Sequence, residues 1–191
     1  LGNGNRGYYF SLTAKVEKSY SKGLAWSVAY TKSLAANLFD GGGDQTLSAW
    51  QGTANVYGPN SQMLSHTDYV IPDRVIAMIS YRKEYFKHLA TTVSAFYEGA
   101  MNGRFSYVYD GDFNRDGVTA NDLIFIPTTA QVQQMQFATN TVNGVTYSQA
   151  DQRTQFERYI LQDKYLRAHR GQYAERNGAQ LPWLNLSLIH I

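Results

Sequence analysis

The chain has 191 residues, a net charge of +2 and no cysteine. The length suits one ordinary domain, the small charge gives no support to nucleic-acid binding, and the absence of thiols excludes a disulfide framework and thiolate metal sites. Aromatics, led by 15 tyrosines, make up 14% of the residues and charged side chains only 17%, a low share for a soluble domain. That balance is expected of strands with lipid on one side and a polar lumen on the other. No apolar run is long enough for a membrane helix, so any crossing is by strands. No signal peptide is evident, and the start at Leu1 rather than a methionine points to a fragment.

Leu1–Gly7 is a Gly/Asn-rich loop. From Tyr8 the pattern alternates: Tyr8, Phe10, Leu12, Ala14 and Val16 on one face, Tyr9, Ser11, Thr13, Lys15 and Glu17 on the other. Period two with one apolar side is a strand signature, and about 9–11 residues suffice for a tilted strand to cross a bilayer. A tight turn at Ser19–Gly23 leads to a return strand with Leu24, Trp26, Val28 and Tyr30 on its apolar side. Leu34–Thr67 loses the pattern and carries turn signals at Gly41–Asp44 and Tyr57–Asn60. Alternation resumes at Val75–Tyr85, with Val75, Ala77, Ile79 and Tyr81 together. It returns over Leu89–Glu98, with Leu89, Thr91, Val93, Ala95 and Tyr97 together.

Connection lengths then run short, long, short, long. Antiparallel strands place both short turns at one end and both long loops at the other, the asymmetry of an outer-membrane barrel. Tyr8, Phe10, Tyr30 and Tyr97 fall at the long-loop ends; Tyr20, Tyr81, Tyr85 and Phe86 fall near the short turns. Two such belts suit rings at two membrane interfaces. The same alternation also fits the core of a β-sandwich.

Gly99–Leu181 has no further spanning pair. It opens with Phe105, Tyr107 and Tyr109 alternating as a strand and continues into Asp112-x-Asn114-x-Asp116-Gly117, closed by Asn121-Asp122. Oxygen side chains at alternate positions before a glycine match the first half of a calcium loop. The twelfth position is Leu123, and Asp122 is one residue short of it. Two readings stand: a Ca2+ or Mg2+ site formed by Asp112, Asn114, Asp116 and Asp122, or an Asx-rich turn that bonds its own backbone. Ser148–Arg167 reads as an amphipathic helix opened by Ser148-x-x-Asp151. Arg167, His169 and Arg170 are too few for an anion site. Four scattered histidines and unplaced surface carboxylates give no catalytic constellation, so no enzyme is expected.

Three separated segments carry a family resemblance. Asp110-Gly-Asp112-Phe-Asn114-Arg-Asp116-Gly117 with Asn121-Asp122-Leu-Ile-Phe-Ile-Pro127 resembles a late loop of TonB-dependent outer-membrane transporters of the SusC/RagA type. His169-Arg170-Gly171-Gln172-Tyr173-Ala174-Glu175-Arg176-Asn177-Gly178 with Pro182-Trp183-Leu184-Asn185, and Ile71-Pro72-Asp73-Arg74-Val75 before Tyr81-Arg82, are similar to segments of the same family in the same order.

The resemblance implies an all-β fold: a partial transmembrane antiparallel β-barrel, a fragment of a barrel of the ~22-stranded class, with long extracellular loops, one carrying a short helix. It implies import of oligosaccharide or peptide nutrients across the outer membrane. Its implied partners are a SusD-like surface lipoprotein and a TonB complex, the latter acting through parts not located in this chain. Trp50, Tyr57, Tyr107 and Tyr109 are the candidate substrate or partner contacts at the barrel mouth. Residues 1–185 form the barrel part. Leu186-Ser-Leu-Ile-His-Ile191 reads as a non-native tail, similar to translated adapter sequence, or as a truncated strand. The rival readings are a secreted or surface glycan-binding β-protein and an outer-membrane barrel enzyme.

Overall fold

The computed structural model describes residues 4–40, 42 and 44–190. Its strands are antiparallel, and they make the chain mostly β. Two compact units divide it: Leu1–Leu38, Leu64–Phe105 and Gln180–Ile191 form one, Phe39–Met63 and Ser106–Ala179 the other.

The first unit is a meander of long strands: Tyr8–Ser21, Leu24–Asn37, Asp73–Phe86, Leu89–Met101 and Trp183–His190, paired in that order. The order is open, with Tyr8–Ser21 at one edge and Trp183–His190 at the other; among the described residues no pairing closes it into a barrel. The four alternating segments that begin at Tyr8, Leu24, Val75 and Leu89 are strands of 13 or 14 residues, longer than the roughly 9–11 that a bilayer crossing needs. The first hairpin turns on Lys22 and Gly23, both left-handed at φ 53° and 81°, the geometry whose twist suits a two-residue hairpin. Glycine is required there for a second reason. Arg82 donates its backbone N–H to the Gly23 carbonyl at 2.7 Å, and a Cβ on Gly23 would lie 2.3 Å from the Arg82 oxygen.

Register decides which side chains share a face. Val16 lies opposite Val28 and Ala14 opposite Tyr30. Trp26 lies opposite Ile79, Val28 opposite Ala77, and Tyr30 opposite Val75. Ile79 faces Ala95 and Tyr81 faces Val93. The apolar sides of four strands therefore merge into one surface, which is exposed at Phe10, Leu12, Val16, Val28 and Ile79. The opposite surface carries the hydroxyl side chains, together with Tyr9, Ile76, Met78 and Phe96. Ser11 meets Ser33 at 3.0 Å, Thr13 meets Thr31 at 2.9 Å, and Ser80 meets Ser94 at 2.8 Å, cross-strand hydroxyl pairs that stabilise a sheet.

Tyr20 departs from the expected alternation. A bulge between Lys18 and Ser21 shifts the register, and the Tyr20 hydroxyl reaches Ser80 at 2.7 Å on the hydroxyl-bearing surface. One extra residue inverts the sides of the positions beyond it. The last strand is also out of phase: Leu186 lies opposite Glu98 and Leu188 opposite Phe96, while Ser187 faces Tyr97 on the apolar surface. Residues 186–190 thus pair as strand but put leucines on the hydroxyl-bearing side; Ile191 lies outside the described residues.

The second unit has a packed core of Leu123, Ile126, Val132, Ile160, Leu166 and Ala174. Helices α1 (Thr46–Gln51), α2 (Thr129–Gln134), α3 (Gln149–Gln162) and α4 (Lys164–Ala168) contribute to the unit. Ser148 caps α3 with a full capping box, its side chain accepting from Asp151 N–H. The single helix expected over Ser148–Arg167 is interrupted at Asp163. That residue is extended (ψ 129°) and its carboxylate caps α4 by accepting from Leu166 N–H. Asn143-Gly144 turns a small hairpin, Asn140–Val142 against Val145–Tyr147.

Candidate functional site

The acidic stretch belongs to the second unit. Tyr107 and Tyr109 do not form the expected strand. The backbone there makes a narrow antiparallel bridge, with Tyr109 N–H donating to Asp122 O at 2.8 Å and Ile124 N–H to Tyr107 O at 3.1 Å. This bridge brings both ends of the acidic loop together. Inside it, Asp112 accepts from Asp116 N–H and Gly117 N–H, both at 3.0 Å. Asn114 Oδ1 accepts from Asp116 N–H at 2.9 Å, and Asp116 Oδ1 from Val118 N–H at 2.9 Å. Gly117, at φ 87°, makes the bend.

Asp122 clamps the loop from the far side. Its Oδ2 accepts from Phe113 N–H at 2.6 Å and Asn114 N–H at 3.0 Å, and the residue is 3% exposed. Its Oδ1 is buried with no hydrogen-bond partner among the described residues, as are both side-chain polar atoms of Asn121. Leu123, at the position a calcium loop gives to its bidentate acid, is a core residue instead. No set of three His, Cys, Asp or Glu side chains among the described residues converges as a metal cage. Asp112, Asn114, Asp116 and Asp122, the four oxygen residues expected to hold Ca2+ or Mg2+, all turn side-chain oxygens toward backbone N–H groups of the loop. They form an Asx-turn network bonded to the loop's own amides.

The four aromatic candidates separate into different roles. Tyr107 donates its hydroxyl to Asp163 Oδ2 at 3.0 Å and stacks on Tyr165, with ring centres 6.1 Å apart. Burial, and then the Asp163 carboxylate, push its pKa well above the ordinary tyrosine value. Tyr165 stacks in turn on His169 at 4.1 Å, and its oxygen accepts from Glu175 N–H at 2.7 Å. Burial raises its pKa too. Tyr109 accepts from Phe125 N–H at 3.2 Å and stacks on Phe113 at 4.4 Å. Trp50 donates to Asn60 Oδ1 at 3.0 Å.

Tyr57 alone of the four projects freely, at 80% exposure. Its ring meets Tyr173 edge-on at 6.4 Å, and Tyr173 meets Phe125 at 5.3 Å. Tyr173 is held in place by a short ladder in which Gln172 and Tyr173 face Ile126 and Phe125. Tyr57 and Tyr173 thus offer exposed rings on a fixed support, the chemistry that stacks on a sugar ring or a partner's apolar side chain. Tyr173 lies inside one of the family-like segments but carries no positional signal of its own. The basic residues after α3 are structural. Arg170 pairs with Glu157 at 2.6 Å and donates to Pro127 O at 3.1 Å; Arg167 donates to Leu161 O at 3.2 Å.

Antiparallel sheet with one apolar and one hydroxyl-bearing surface is the class this fold defines. No family model, no curated protein and no solved structure matches the chain.

Proposed function

We propose that this chain is part of the wall and outer mouth of an outer-membrane β-barrel, a SusC-like TonB-dependent transporter of oligosaccharide or peptide nutrients. The observation that carries the reading is the merged apolar surface of the first unit. Registers fixed by backbone pairing bring the apolar sides of four strands to one face, and that face is left exposed. An exposed apolar surface of this extent is a hazard in water and the required surface in lipid. Strands of 14 residues reach roughly 46 Å at about 3.3 Å per residue, enough to cross an apolar band of about 25 Å with tilt.

On this reading both short hairpins lie on the periplasmic side and both long connections outside. The hydroxyl surface faces the lumen, and Tyr57 and Tyr173 serve as contacts for substrate or for a SusD-like lipoprotein. A TonB complex would act through other parts of the whole transporter. The test is fractionation of the complete protein. It is expected in outer membranes, resistant to carbonate extraction, with heat-modifiable gel migration and TonB-dependent nutrient uptake. A soluble, cooperatively melting protein without detergent would contradict the reading and favour the glycan-binding alternative.

A further inference from the structure

We propose that the short-turn end of the apolar surface is a binding rim for anionic phospholipid headgroups, built by Lys18, Lys22, Lys83 and Lys87. The inference rests on the barrel reading and adds the lipid chemistry that one rim of the barrel selects.

Register places these lysines. Lys18 lies opposite Trp26, so it shares the face of Leu12 and Val16. Lys83 lies opposite Thr91, two residues beyond Tyr81 on the same face. Lys22 and Lys87 sit in the two hairpin turns at that end of the sheet. All four are exposed, and among the described residues none forms an ion pair. The unit's other strand charges are matched: Lys15 with Glu17, Arg82 with Glu84 at 3.0 Å, and Arg74 with Glu98 at 2.6 Å.

The two ends of the apolar surface differ in charge. At the long-loop end Lys32 is neutralised by Asp73 at 2.8 Å. At the short-turn end Lys18 and Lys83 stand on the apolar surface with no counter-ion among the described residues. Aromatic rings are interleaved there: Tyr81, Tyr85 and Phe86 are exposed, and the Lys83 ammonium lies 5.6 Å from the Tyr85 ring centre. Rings at headgroup level beside lysines whose stems lie along apolar surface match a phosphodiester at the membrane interface. A soluble anion satisfies only the charges. A phospholipid also covers the adjoining surface of Leu12, Val16 and Ile79, which is why the occupant is assigned as lipid.

The test uses the complete transporter in vesicles of phosphatidylethanolamine, with and without phosphatidylglycerol, and native mass spectrometry of the retained lipid. The wild type is expected to retain phosphatidylglycerol above its vesicle fraction, less so at high salt. Replacing all four lysines (Lys18→Gln, Lys22→Gln, Lys83→Gln, Lys87→Gln) should abolish the enrichment, leaving phosphatidylglycerol at its vesicle fraction. Lys22→Gln or Lys87→Gln alone, in exposed turns, should each give a partial loss should the fourfold variant fail to fold. Lys32→Gln with Asp73→Asn should leave enrichment intact. Unchanged enrichment in the lysine variants would overturn the proposal, as would its complete displacement by soluble glycerol phosphate. Failure of the barrel reading is seen separately, as a protein that stays soluble and does not reconstitute.

Discussion

The two units use apolar residues in opposite ways. In the second, Ile126, Ile160, Leu166 and Val132 are almost fully buried against one another, each contributing about 1.5–3 kcal/mol by leaving water. In the first, Leu12, Val16, Val28 and Ile79 are ordered side by side yet remain exposed. That sheet is held by its backbone ladders, its hydroxyl pairs and two tight hairpins, with its apolar residues open at the surface. The contrast separates folding from burial: regular structure is present in both units, and the second buries its apolar residues against one another while the first leaves them exposed.

The largest effects should therefore come from the second unit's core. Ile160→Ala or Leu166→Ala should destabilise the complete protein by about 2–5 kcal/mol, read by denaturant melting of that unit. Leu12→Ala, at a side chain that is 61% exposed, should cost clearly less. Similar losses at the two kinds of site would remove the distinction between the units.

Charge sharpens the comparison within the first unit. Arginine at Leu12, Val28 or Ile79 should cost roughly 2–4 kcal/mol near the bilayer midplane, against little at Ser27 or Thr92 on the hydroxyl-bearing surface. Folding titrations into vesicles measure this, and equal costs on the two faces would rule out the assignment of sides. Ser80 is unsuited to the control despite its polarity, because it is buried and bonded to both Tyr20 and Ser94.

A smaller effect is expected at Gly178. A Cβ there would lie 2.8 Å from ring carbons of Tyr165, and that ring is already sandwiched between Tyr107 and His169. Gly178→Ala should cost about 1–3 kcal/mol by overpacking, and Tyr165→Leu in the same chain should relieve most of it. Additive losses in that double variant would place the strain elsewhere.

Alkali should act on the same stack. Tyr107 and Tyr165 have raised pKa values, so above about pH 10 the unfolded chain releases phenol protons that the folded chain keeps. The unfolded state then binds fewer protons, and stability falls as pH rises through that range after being flat at neutrality. Phenolate absorbance and melting monitored together should show this, with a shallower decline in Tyr107→Phe. An identical decline in that variant would detach Tyr107 from the effect.

The four long strands were legible in the sequence because apolar residues at every second position fall on one side of a strand, and register brings those sides together up to Tyr97, with Lys18, Lys32 and Lys83 among them. Tyr20 escapes such a reading because a bulge leaves no mark on composition. Tyr107 and Tyr109 alternate like a strand, but too few partner residues exist beside them to extend the bridge at Val108. The helix break at Asp163 is a capping choice, and the same carboxylate receives the hydroxyl of Tyr107, 56 residues away in sequence. Long-range pairs of this kind decide which aromatic is a strut and which is free, and no local pattern encodes them. Tyr57, on an isolated turn, was the candidate whose exposure could be read locally.

The orientation of the merged apolar surface toward lipid is open to direct measurement. Since this chain has no cysteine of its own, single cysteines in the complete protein can carry nitroxide labels at Leu12, Thr13, Ser27, Val28, Ile79 and Arg82. In reconstituted vesicles, Leu12, Val28 and Ile79 should be open to molecular oxygen and shielded from a water-soluble nickel chelate, with Thr13, Ser27 and Arg82 reversed. Accessibility to the nickel chelate at both sets, or to neither reagent at Leu12, Val28 and Ile79, would contradict that orientation.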